Sequence, residues 1–189
     1  MEALPEFRNE GYADFFSSTY TGDPNLAEYV GTALEQDGGN LRNMLNTKKC
    51  PDDASGEVDA DSEYWAAALW AVRKYGLDNG KTLNDINGAV FSALLTLPQE
   101  ASYTAASQAT VDALKSWFDD TYAAEADTIF ANRGLKACDR AIPVKDGVAL
   151  GSIIIIYDRN TVNLSPFVPG FVQFHFTVPE GKTVDYVQA

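Results

Sequence analysis

The residues best suited to chemistry are Glu10 and Asp14, in the run Asn9-Glu10-Gly11-Tyr12-Ala13-Asp14. Four apart, they share one face of a helix. Carboxylate oxygens are hard donors of the kind that bind metal ions. The same spacing also describes an acidic face that is merely solvated. A second concentration of carboxylates, Asp52, Asp53, Glu57, Asp59, Asp61 and Glu63, runs into an Ala-rich apolar stretch. Negative charge there favours a helix N-terminus. Oxygen donors on a loop also suit calcium, although the spacing does not fit an EF-hand.

Other chemistry finds little to stand on. His175 is the only histidine, and it falls on the polar face of a predicted strand, which reads as a surface or interface position. One imidazole and one distant carboxylate fall short of the usual three protein ligands of zinc, and they give no serine a local base. No His-Glu-x-x-His occurs in the 189 residues. Gly80-Lys81-Thr82 and Gly181-Lys182-Thr183 share the end of a phosphate-binding loop, but Tyr75 and Phe176 stand where its first glycine is required, so both read as turns. Cys50 and Cys138 form no Cys-x-x-Cys pair. They fit a disulfide in a secreted protein or two free thiols in a cytosolic one.

A formal net charge of -13 sets aside nucleic acid and anionic membrane as partners, because either would require a basic patch. With 46% hydrophobic and 12% aromatic residues, the composition is that of a globular chain and not a disordered one. No apolar run approaches the roughly 20 residues that cross a bilayer, and Met1 is followed by Glu2 and Pro5, unlike a signal peptide. The sequence predicts a soluble chain.

The elements that must hold Glu10 and Asp14 follow from periodicity. Tyr12, Phe15, Phe16 and Tyr20 predict a buried helix over residues 7–20, ended by Thr21-Gly22-Asp23-Pro24. A short helix is expected from Asn25 to about Glu35, then a long loop over residues 38–60. From Asp61 a central helix is expected, with Asp61 or Ser62 as N-cap, Trp65, Leu69 and Val72 facing inward, and Gly76 as its stop. Leu83, Ile86, Val90, Leu94 and Leu97 give a helix closed by Pro98. Val111, Leu114, Phe118 and Tyr122 give another, and residues 124–133 a last short one before Gly134. After Gly151 the pattern changes, and residues 153–157 and 171–178 read as strands that pair antiparallel.

Asn9-Glu10-x-x-x-Asp14 resembles the Asn-Glu-x-x-x-Asp helix of gluzincin zinc metallopeptidases, the thermolysin and fungalysin relatives. The resemblance implies that Glu10 is the third zinc ligand, that Asp14 accepts a hydrogen bond from a zinc-bound histidine, and that Asn9 contacts the substrate backbone. Downstream, Glu57-Val58-Asp59-Ala60-Asp61-Ser62-Glu63-Tyr64-Trp65 resembles the Glu-Val-His-x-x-Gly-Glu-x-Trp stretch of the fungalysin relatives, whose histidine stabilises the oxyanion. Glu57, Val58, Glu63 and Trp65 match that pattern, whereas Asp59 takes the place of the histidine and Ser62 that of the glycine. The segments at residues 21–24, 130–135 and 167–171 also look like secreted bacterial peptidases of this type.

The resemblance implies a mainly helical lobe over residues 1–142, the C-terminal lobe of a thermolysin-like peptidase. The first strands of an appended β-sandwich-like region are expected over 148–189. The His-Glu-x-x-His helix of the relatives lies upstream of the Glu10 motif, so the sequence is expected to be a truncated part of a secreted zinc metalloendopeptidase, inactive alone, acting on peptides or proteins when complete. The alternative is a non-catalytic peptidase-like module that binds a protein partner. Zinc belongs to the complete enzyme, and calcium, which often stabilises the relatives, is compatible with the acidic loop. The secreted habit of the relatives implies a Cys50 to Cys138 bridge.

Overall fold

Trp65, Leu69 and Val72, the stripe expected to face inward, are fully buried. The computed structural model describes residues 5–34, 39–50, 52–53, 58–98 and 101–138, all within one compact unit spanning Glu2–Cys138. Among the described residues the helices are α1 (Pro5–Thr21), α2 (Glu28–Ala33), α3 (Val58–Asp78), α4 (Leu83–Thr96), α5 (Tyr103–Trp117) and α6 (Asp120–Asn132), followed by a single 3-10 turn at Leu135–Ala137. Strands β1 (Asn25–Leu26) and β2 (Arg42–Asn43) pair antiparallel, with Leu26 opposite Arg42. The described fold is therefore mainly helical with one small sheet. The strands expected at 153–157 and 171–178, and the whole expected β region, lie outside the described residues.

α3 packs against α1, α4, α6 and β2, and at Trp65 residues of α1, α5 and α6 converge on it. Its indole stacks on Phe130 of α6 with centroids 5.2 Å apart, meets Tyr12 of α1 edge-on at 5.4 Å, and lies 5.7 Å from Tyr103 of α5. Such aromatic contacts add about 0.5–1.5 kcal/mol each to the area they bury. α1 approaches this ring through Gly11, where a Cβ would fall 2.7 Å from Trp65 Cδ1 and 3.0 Å from the Ser62 carbonyl oxygen. On the opposite side of α3, Trp70 packs with Met44 and Ala66 and is covered by Leu26, which seats the β1–β2 pair against the helix.

Several expected boundaries are corrected by tertiary contacts. α3 begins at Val58, so neither Asp61 nor Ser62 is its N-cap: both are buried, and the Ser62 hydroxyl donates to the Asp59 carbonyl at 2.7 Å. Gly76 does not stop the helix. It is buried where Tyr122 crosses α3, and a Cβ there would collide with the Tyr122 hydroxyl, which donates to the Val72 carbonyl at 2.8 Å. The stop is Gly80, at φ +75°, in a Schellman motif closed by Lys81 N–H to Gly76 O and Gly80 N–H to Leu77 O.

The helix expected through Val111 and Tyr122 is two helices. Asp119, in extended conformation, caps α6 by accepting from the Tyr122 N–H at 2.8 Å, and its carboxylate pairs with Lys81. Apolar spacing ran on across the break because Phe118 and Tyr122 remain neighbours, 5.3 Å apart. Asn25 and Leu26, expected in a helix, form β1, and β2 interrupts the expected loop.

Cys50 and Cys138 are bridged, with Cα atoms 5.3 Å apart across 88 residues of sequence, which decides between the two thiol states. A cross-link closing a loop of that length stabilises by about 4–5 kcal/mol on the chain-entropy account. The turn it holds is also pinned without it. Cys50 N–H donates to the Arg133 carbonyl at 2.9 Å, and the Arg133 guanidinium donates to Asn46 O, Asn46 Oδ1 and Lys48 O.

The α1–α3 contact yields a test. Gly11→Ala gains about 1 kcal/mol in helix propensity, but the added methyl meets a rigid indole and a backbone carbonyl, and overpacking costs about 1–3 kcal/mol. We expect a net loss of up to about 2 kcal/mol in urea unfolding, with altered near-ultraviolet circular dichroism from the Trp65 cluster.

Candidate functional site

Close approach of α1 and α3 at Gly11 places Glu10 and Asp14 beside the first turn of α3, where Asp59 stands. The residue that joins them is Arg42 of β2. Its Nη2 donates to Asp14 Oδ1 at 2.8 Å, its Nε lies 2.7 Å from Asp14 Oδ2, and its Nη1 lies 3.4 Å from Asp59 Oδ1. The Asp14 and Arg42 side chains are 6% and 17% exposed, whereas Asp59 is 54% exposed. Arg42 and Asp14 thus form a buried two-point ion pair, with Asp59 as an outer, solvated partner. Asn9 is exposed and Glu10 half-buried on the same helix.

The electrostatics follow from burial. Desolvation pushes the Asp14 carboxyl up, the Arg42 hydrogen bond and charge pull it back, and Asp59 pushes it up again, leaving it above its ordinary value. For Arg42, burial acts to lower the pKa, but the hydrogen bond and charge of Asp14, then the charges of Asp59 and Glu10, outweigh it and raise the pKa. Arg42 therefore stays protonated among the three carboxylates. Asp14 Oδ2, although within 2.7 Å of Nε, accepts no aligned hydrogen bond and is buried.

The sequence-singled residues separate into two groups. Glu10, Asp14 and Asp59 gather at Arg42, and Trp65 lies beneath as the packing centre. Glu63 instead pairs with Lys48 at 2.7 Å, Asp53 accepts from the Lys49 N–H at 2.7 Å, and Asp61 is buried within α3. The described members of the acidic run are thus dispersed among different partners. Glu57 and His175 lie outside the described residues. Among the described residues, no three His, Cys, Asp or Glu side chains are grouped to hold a metal ion.

Arg42 was missed because it lies in a Gly-, Asn- and Lys-containing stretch without periodicity. The available signal was indirect: a carboxylate on the buried side of an aromatic helix requires a counterion, and arginine is the cation that grips a carboxylate at two points. Comparison of the chain with protein-family models, with curated proteins and with solved structures finds no match.

Removing Arg42 would leave Asp14 buried and unpaired. Because the pKa of Asp14 is already raised in the folded state, this carboxyl favours folding below its ordinary value of 3.8 and loses that contribution as pH rises through the raised value. Arg42→Ala removes what pulls the pKa back and raises it further. The variant should be less stable by about 3 kcal/mol at neutral pH, and the deficit should shrink as acid protonates Asp14. Denaturant titrations across pH check both the size and the sign.

Proposed function

We propose that the chain is the C-terminal, mostly helical lobe of a secreted gluzincin-type zinc metalloendopeptidase. One observation carries this reading: two stretches far apart in sequence, Asn9-Glu10-x-x-x-Asp14 and the one from Asp59 to Trp65, meet because α1 packs on α3 at Gly11 and Trp65. In this role Glu10 supplies a zinc ligand from a partly exposed position, and Asn9 holds the peptide backbone of the substrate from one residue away. Asp14 orients a zinc-bound imidazole. When bound, zinc in such a site polarises the scissile carbonyl and lowers the pKa of water. The Cys50–Cys138 bridge supports an oxidising, extracellular setting.

Asp59 stands where the relatives have their oxyanion-stabilising histidine. An ionised carboxylate donates no hydrogen bond, and its charge opposes the developing anion. Arg42, 3.4 Å away, offsets part of that charge. The second reading, a non-catalytic peptidase-like module, draws on the same geometry, because a guanidinium already lies against both oxygens of Asp14.

These 189 residues alone should neither hold zinc tightly nor cleave peptides, because tight binding needs about three protein ligands and only Glu10 stands at an expected position. Loss of one oxyanion donor commonly costs on the order of 100- to 1,000-fold in rate. Zinc calorimetry beside a casein cleavage assay tests this. Sub-micromolar zinc binding, or chelator-sensitive proteolysis that disappears in Glu10→Ala, would show the site to be misread. An in-frame His-Glu-x-x-His encoded upstream would favour the peptidase lobe over the binding module.

A further inference from the structure

Between α4 and α5 runs an open groove of about 370 Å³, built from elements that carry none of the residues gathered at Arg42. Its floor is made of small side chains, Ala93 of α4 with Ala109 and Ala113 of α5. The Ser92 and Thr96 hydroxyls that also line it are spent on their own helix, donating to Ala89 O and Ala93 O, so they add little polarity. Trp117 closes the end nearest the start of α4. Its ring lies over Gly88, where a Cβ would come 2.6 Å from Trp117 Cη2, so the glycine is what lets the indole lie there. About half of Trp117 remains exposed.

The groove has one charged group, Asp112. Its Oδ1 accepts from Gln108 Nε2 at 2.9 Å, and the nearest lysine along the helix, Lys115, feels the charge of Asp112 but directs its ammonium to Asp120 at 2.7 Å. No described cation forms an ion pair with Asp112. An apolar channel, an exposed indole and a carboxylate free of ion pairing match the two halves of a long basic side chain: an aliphatic stem that lies on apolar surface and a cation that seeks a carboxylate or an aromatic face. The formal charge of -13 adds attraction for a cationic partner. Because the groove is open to one side and not enclosed, it suits a side chain projecting from a peptide better than an engulfed small molecule.

The geometry points to this groove as a docking site for a lysine or arginine side chain of a peptide or protein partner. It stands whether or not the peptidase reading does. The test uses the whole chain labelled with nitrogen-15, in which the three tryptophan indoles give separate resonances, assigned by Trp117→Phe. Acetyl-Ala-Lys-Ala-amide should move the Trp117 indole resonance saturably while those of buried Trp65 and Trp70 stay in place, and added salt should weaken the response. The norleucine analogue, which keeps the stem and lacks the cation, should bind less well. Asp112→Asn, at an exposed position, should weaken lysine-peptide binding roughly threefold, and Ala113→Leu, with folding verified by circular dichroism, should block it. An unmoved Trp117 resonance, an equal response to the norleucine peptide, or unchanged affinity in Asp112→Asn would overturn the proposal.

Discussion

The described structure depends on one indole having no room to spare. Trp65 is enclosed by Tyr12, Tyr103 and Phe130, from three different helices, and α1 reaches it only because residue 11 has no side chain. Burial of so large a ring is a strong, directionless driving force. The edge-on and stacked contacts, together with the glycine notch, convert it into a specific distance between α1 and α3. Every arrangement of Glu10, Asp14 and Asp59 is inherited from that distance.

Arg42 then does for charge what Trp65 does for apolar surface. Two carboxylates brought together by helix packing would repel, and the one buried on α1 would be costly to ionise alone. A guanidinium delivered from β2 binds one at two points and faces the other. Its delivery depends in turn on Leu26 and Met44, which bury against Trp70 and Ala66 and hold the short strand pair to α3. A sheet of two residues per strand is marginal by itself, so its place comes from these apolar contacts.

What could be read from the sequence divides along the same line. α4 was legible from the apolar spacing that begins at Leu83 and from Pro98, which forces Leu97 into extended backbone. The inward stripe of α3 was legible because its apolar spacing is unbroken. Gly76 and Asp119 misled for opposite reasons. Gly76 carries the signature of a helix stop but serves a close crossing by Tyr122, which only the tertiary structure shows. Asp119 carries a capping signature that continuous apolar spacing concealed. The carboxylates of the candidate site were visible as a motif, whereas their counterion was not, since a single arginine in an aperiodic segment announces no partner.

The bridge between Cys50 and Cys138 makes a covalent ring of α3, α4, α5 and α6. The connections between these helices lie inside that ring, including the exposed turn at Asn79 and Gly80. One cut there would open the ring without releasing either piece. In surroundings rich in proteolytic enzymes, the nicked chain would remain a single covalent molecule, with its aromatic core free to stay closed around Trp65, until a reductant or a second cut separated the parts.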